Sequence, residues 1–140
     1  MNYEIDPYVG VGQIKFGSPV DEVRGVVGEA FRSFLKSPRS VFPTDSFPAL
    51  RMFCFYDAQG LLEAVEFAKP ARPIICGFEF IGQPLSKAIA TLGPLDSQLE
   101  IERDGLTAYG LGVALWAPLA KNDPHAPIEA VMAFRRGYYD

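Results

Sequence analysis

The sequence is short of the residues from which most catalytic and metal sites are built. It has one histidine and two cysteines in 140 residues. The histidine, His125 in "NDPHAP", would have to meet a nucleophile across the fold to form a Ser–His or Cys–His pair, and no G-x-S-x-G elbow is present. One histidine and two scattered cysteines do not make a metal-ligand spacing either. Cys54 and Cys76 lie in the apolar runs "MFCFY" and "PIICGF", which reads as two buried, reduced thiols and not as a secreted disulfide framework. No apolar run approaches the ~20 residues of a membrane-spanning helix. The opening "MNYEIDPYVG" has no basic or apolar leader region, so no signal peptide is expected and the expected compartment is a reducing cytoplasm. Positive charge is short as well. Thirteen Lys and Arg stand against 17 Asp and Glu, for a net charge of -4. That balance argues against a nucleic-acid partner and suits a basic one.

What is present is an ordinary globular composition, 49% apolar and 21% charged. A chain of this length buries roughly two-thirds of the surface it exposes when unfolded, so a single domain over residues 1–140 is expected.

Two stretches organise that domain. "GSPVDEVRGVVG" places Val20, Val23 and Val27 on one helical face. Ser18 reads as its N-cap, Pro19 as its first residue and Gly28 as its left-handed terminator, with Asp21 in a near capping box. "GQPLSKAIATLG" repeats the pattern at a constant offset (82 − 17 = 65), with Leu85, Ala88, Ile89 and Leu92 as the stripe and Pro94 as a stop. The strand-like "LRMFCFYD" is matched by "LGVALWAP", and "LEAVEFAK" by "IEAVMAFRR". The turn "DAQG" (Asp57 to Gly60) signals a hairpin in the first copy. The second has a longer proline-rich connection, Ala117 to Pro127. "SPRSVFPTDSFP" (Ser37 to Pro48) reads as a loop. Each copy, about 10–70 and 75–140, therefore reads as a lead-in strand ("GQIKFG", "CGFEFIG"), a helix and about three antiparallel strands. The expected fold is α+β: two tandem helix-plus-antiparallel-strand units forming one sheet with helices packed on one face.

The glycines of the first stretch also raise the possibility of a phosphate loop. Neither G-x-x-x-x-G-K-[ST] nor G-x-G-x-x-G occurs, and Pro19 removes an N–H that an anion site would use. Helix punctuation is the better reading, and no cofactor, metal or catalytic residue is expected.

The remaining candidates are acids and aromatics in the second copy. Glu100, Glu102 and Asp104 alternate along "LEIERDG", which in a strand would put all three on one face and Leu99 and Ile101 on the other. Such a row serves as a solvated face, an acid/base or metal set, or an acidic recognition surface. Trp116 ends a strand before the long loop, and Tyr109, Tyr138 and Tyr139 lie near loops or the C-terminus, where aromatics often anchor interfaces. Glu63 and Glu129 occupy equivalent places in the two copies and read as structural.

The tandem motif "IKFGSPVDEVRGVVG", followed by an antiparallel strand set, resembles the repeat of beta-lactamase inhibitor protein-like domains, a unit shared with outer-membrane assembly lipoproteins. The resemblance implies two units forming one sheet surface with helices behind, the sheet face clasping a partner protein. The chain departs from the lipoproteins in having no lipobox cysteine near its start, and from the secreted inhibitor in lacking a signal and paired repeat disulfides. In outline it is also similar to the small acidic immunity proteins of bacterial toxin systems. The expected function is a non-enzymatic binding module, an immunity protein for a cognate and basic toxin domain. Its expected partner-binding residues are Glu100, Glu102, Asp104, Tyr109, Trp116, His125 and Tyr139. Two other readings stand beside it. One is a small-molecule-binding domain or minor enzyme with a pocket between sheet and helices. The other is a module that pairs with itself through its sheet, the chain being a monomer or weak homodimer.

Overall fold

A computed structural model describes residues 3–139 of the chain. Its first strands are short: β1 (Glu4–Asp6), β2 (Gly10–Val11) and β3 (Ile14–Lys15), followed by α1 (Val20–Val27). Four strands follow: β4 (Arg32–Phe34), β5 (Thr44–Phe47), β6 (Met52–Tyr56) and β7 (Leu62–Ala68). The hairpin β8 (Ile74–Ile75) and β9 (Phe78–Glu79) precedes α2 (Leu85–Leu92). The last four strands are β10 (Leu99–Glu102), β11 (Gly105–Ala108), β12 (Val113–Trp116) and β13 (Ala130–Phe134). No helix among the described residues is long and apolar enough to cross a membrane.

The fold is mixed α+β, but its strands form two sheets where one was expected. The larger has eight strands in the order β10-β11-β12-β13-β7-β6-β5-β4, with every pairing antiparallel. The lead-in strands do not join it. They form a five-stranded sheet, β3-β2-β1-β8-β9, in which β1 and β8 run parallel. Each lead-in segment is a tight hairpin rather than one strand, and a two-residue strand is too short to pair along the length of the larger sheet.

One face of the eight-stranded sheet makes the core. The register aligns Met52 with Phe67 and Cys54 with Val65, then Phe67 with Val131 and Val65 with Ala133. Leu115 and Val113 continue the layer to Leu106 and Ala108. Val23 and Val27 of α1, and Leu85, Ala88 and Leu92 of α2, bury their stripes in the same cluster. So do Ile5, Val11, Ile14 and Ile75 of the smaller sheet. The periodic apolar residues therefore meet where the sequence pattern aims them, and the opposite face of the large sheet is left without a helix.

Several local expectations are corrected. Ser18 does not cap α1; Pro19 holds the cap position, and no side chain caps the helix. Ser18 has another role, because its carbonyl accepts a hydrogen bond from Leu62 N at 2.9 Å. Gly28 does adopt the left-handed conformation (φ 66°), whereas Gly93 stays helical and leads into a 3₁₀ turn through Leu95. The segment read as a loop, Ser37 to Pro48, contains β5, so β4 to β7 put four strands between α1 and the β8–β9 hairpin into the large sheet, where about three were expected. Four more follow α2, β10 to β13, because β11 runs through "GLTA". Cys54 is buried, but Cys76 is exposed at the corner of the β8–β9 hairpin, at φ 50°. "DAQG" is a turn as expected: the Asp57 carboxylate accepts from Gln59 N and Leu61 N at 2.9 and 3.0 Å.

Candidate functional site

The uncovered face of the eight-stranded sheet can be read across the register. One row runs Glu100–Thr107–Ala114–Met132–Glu66–Phe53–Ser46–Arg32, from one edge strand to the other. The row beside it runs Glu102–Gly105–Trp116–Ala130–Ala68. Strand alternation puts these residues on the side opposite the core. The face is not uniform. Its β10 side carries carboxylates, and its β4 side carries Arg32 together with Lys36, whose Nζ lies 4.4 Å from the centre of the Phe55 ring.

The C-terminal turn closes one end of this face. Tyr138 stacks on Phe134 with ring centres 5.8 Å apart, and Tyr139 meets Phe134 edge-on at 5.0 Å. Tyr139 also meets Tyr109 edge-on at 5.9 Å. The three tyrosine hydroxyls titrate above their ordinary range, chiefly through burial. Glu63 and Glu66 add to the effect at Tyr138, Glu100 and Glu102 at Tyr109, and its tyrosine neighbours with Glu102 and Glu66 at Tyr139. A further contact ties the corner to the smaller sheet: the Tyr8 hydroxyl donates to the carbonyl of Tyr109.

Five of the seven expected site residues thus share one surface: Glu100, Glu102, Tyr109, Trp116 and Tyr139. Trp116 and Tyr139 are 51% and 52% exposed, large for aromatic side chains in so small a domain. Asp104 is displaced from its expected place in the row. The strand ends at Glu102, and Arg103 and Asp104 form the turn into β11. Its carboxylate stands at the rim of the face, 3.6 Å from Lys121 Nζ. His125 is not brought to the group. It is exposed in the long loop, where its backbone N donates to Asp123 Oδ1 at 2.9 Å. Among the described residues its ring has no hydrogen bond or ion pair. Glu63 and Glu129 are held in ion pairs, Glu63 at 3.9 Å from Arg135 and Glu129 at 3.0 Å from Lys69.

Two features escaped the sequence reading. The first is Glu66, near the middle of the face between Phe53 and Met132. Burial pushes its carboxyl above the ordinary value, against the opposing pull of Lys36. The available signal was a charged residue inside an otherwise apolar strand, but "EAVEF" does not reveal which parity faces outward. The second lies on the core side. Asp45 is fully buried and is bound by Arg24, Ser33 and Tyr56. Burial alone would raise its carboxyl, yet these hydrogen bonds and the Arg24 charge hold it below the ordinary value. Burial also raises the neighbouring Cys54 thiol and Tyr56 hydroxyl. Each oxygen of Asp45 accepts two hydrogen bonds, Oδ1 from Arg24 and Ser33 and Oδ2 from Arg24 and Tyr56, and the network secures β5 to α1.

Among the described residues no group of three or more His, Cys, Asp or Glu is placed to hold a metal ion. The uncovered face has a shallow trough of about 190 Å³, bordered by Glu66, Glu102, Trp116 and Met132. Its shape suits a protruding side chain better than an enclosed small molecule, since ordinary ligand sites occupy roughly 300–1,000 Å³. No protein-family model matches the chain, and no curated protein or solved structure matches it.

Proposed function

We propose that the chain is a non-enzymatic protein-binding module acting in the cytoplasm, an immunity protein that blocks a cognate toxin domain. The observation that carries this reading is the uncovered sheet face, on which Trp116, Tyr109 and Tyr139 stand beside Glu66, Glu100 and Glu102. Exposed aromatics supply buried area at an interface. Unpaired acids speed encounter with a basic partner and select against an acidic one. A rigid antiparallel sheet holds both sets in place, so little ordering is needed on binding.

The architecture is read in the same proposal as two copies of one helix-plus-antiparallel-strand unit. What supports this is spacing and order. Both ends of α2 lie 65 residues after those of α1 (85 − 20 and 92 − 27). The large sheet also has the same strand sequence outward from β7 and β13 in both directions. A shared sheet of two units is what the inhibitor-like resemblance implies, and with it a sheet face that clasps a protein.

The test is co-expression with the product of the neighbouring reading frame. A stable complex and restored growth of cells carrying that product are expected. Absence of both would refute the proposal.

A further inference from the structure

The eight-stranded sheet ends in two edge strands, β4 and β10, and they are guarded differently. An open edge offers unpaired backbone groups to another chain, and charged side chains are the usual guard. On β10, antiparallel self-pairing about Ile101 would set Glu100 opposite Glu102, acid against acid. β4 has no such guard. Arg32, Ser33 and Phe34 are all exposed. Phe34 and the flanking Phe31 and Leu35 are 45%, 41% and 55% exposed, so three large apolar side chains line one short edge. Lys36 does not shield them, because its Nζ is folded inward over β6, 4.4 Å from the centre of the Phe55 ring.

The bonding parity of the sheet fixes which groups the β4 edge offers. Ala68 N donates to Arg51 O at 2.9 Å, so Met52 and Phe67 are a non-hydrogen-bonded pair. Alternation across the register then turns the N–H and C=O of Arg32 and Phe34 inward, to Ser46 and Thr44. Those of Ser33 point outward, while its Oγ donates to Asp45 Oδ1 at 2.7 Å on the core side.

We infer that β4 pairs antiparallel with β4 of a second copy of this chain, about a twofold axis at Ser33, joining the two large sheets edge to edge. The occupant follows from "FRSFL" (Phe31 to Leu35), which is self-complementary about its central serine. In that register Ser33 N–H of each copy donates to Ser33 C=O of the other. Arg32 of each copy lies opposite Phe34 of the other, a cation beside an aromatic ring. Phe31 lies opposite Leu35, an apolar pair, and no like charges face one another. The twofold contact is also closed: it uses both β4 edges and leaves only the acid-guarded β10 edges. It is independent of the proposed partner binding, since Glu100, Tyr109 and Trp116 lie toward the opposite edge of the sheet.

One strand per copy is a small interface, so reversible dimerisation is expected. Sedimentation equilibrium of the full chain from about 1 μM to about 1 mM should show the mass climbing from one chain toward two. Phe34→Lys sets cation opposite cation and should weaken the dimer about tenfold. Adding Arg32→Glu to Phe34→Lys restores unlike charges across each pair and should recover the dimer, which a general apolar contact would not. Ile101→Lys, on the β10 edge, should change nothing. Leu35→Asp is a second disruption should Phe34→Lys fail to fold, folding being read from the urea midpoint. A single-chain mass throughout would overturn the inference. So would a dimer indifferent to both disruptions, or one that the double variant does not restore. Growth beyond two chains would place β4 against β10 and would overturn it as well.

Discussion

Arg24 on α1 and Asp45 on β5, 21 residues apart, are joined by two hydrogen bonds, Nε to Oδ2 at 2.8 Å and Nη2 to Oδ1 at 2.9 Å. Asp45 has no exposed surface. A buried carboxylate persists only where donors answer it, and here Ser33 Oγ and Tyr56 OH add bonds of 2.7 and 2.9 Å. Four elements, α1, β4, β5 and β6, therefore converge on one side chain. The guanidinium in turn lies over Phe31, 4.3 Å from the ring centre. This is what fastens the outer strands of the large sheet to the layer behind them.

Asp45→Ala removes the acceptor from all three donors. It should lower unfolding stability by about 3–5 kcal/mol, the cost of breaking a buried pair, read as a fall in the urea midpoint. A change below about 0.5 kcal/mol, the range of a surface substitution, would show that the network does not secure the edge.

The same carboxyl sets a pH dependence. Its folded pKa lies below the ordinary value of 3.8, so the folded state binds the proton less readily than the unfolded chain. Its contribution is full above the unfolded value and is lost as pH falls through the folded one. Asp57, bonded to Arg135 at 2.6 Å, is shifted in the same direction. Urea midpoints should hold steady from pH 7 to about 5 and drop below about 4, with a shallower drop in Asp45→Asn.

Glu66 has the opposite sign. Its folded pKa is raised by burial, so ionising it disfavours the fold, and this effect grows as pH rises through the folded value. Glu66→Gln should match the parent at pH 3 and exceed it in urea midpoint at pH 8. An equal or lower midpoint at pH 8 would mean that the carboxylate is not under strain on the face.

Two glycines should respond oppositely to alanine. A Cβ at Gly110 would sit 2.6 Å from Asp96 Oδ1, and Asp96 accepts from Gln98 N, Gly110 N and Leu111 N. Gly110→Ala should cost about 1–3 kcal/mol through the disturbed bonds of that buried carboxylate. Gly25 lies inside α1, and a Cβ there would meet nothing within 4 Å. Gly25→Ala should stabilise by about 0.5–1 kcal/mol. Thermal melts of the two variants check both signs.

The thiols should separate cleanly. Cys76 is exposed and Cys54 buried beside Asp45 with its thiol pKa raised. Ellman's reagent should titrate one thiol per native chain within minutes and two in denaturant. Prompt labelling of both in the native state would contradict the buried placement of Cys54.

Much of the scaffold was legible because it rests on local periodicity. Val23 with Val27, and Leu85 with Ala88 and Leu92, announce their helices by spacing, and α1 and α2 lie where those stripes fall. The alternation in "MFCFY" likewise puts Met52, Cys54 and Tyr56 on one side of β6. By contrast "TDSF" was unreadable as a strand. Prolines flank it, and beside Phe47 its core-facing residue is Asp45, tolerable only through groups brought from α1, β4 and β6. Glu66 was obscured for a related reason: β7 is central, so both of its parities are largely apolar.

The sequence by itself determined where the two helices lie, which residues of β6 turn inward, and that Glu100 and Glu102 share one face of β10. Tertiary structure decided the rest. It set the lead-in hairpins into a sheet of their own, drew Asp104 into a turn, left His125 apart and turned Glu66 onto the uncovered face between Phe53 and Met132. The reason is physical: periodicity is a property of neighbours along the chain, whereas the partner of a buried carboxylate and the openness of a face depend on strands distant in sequence.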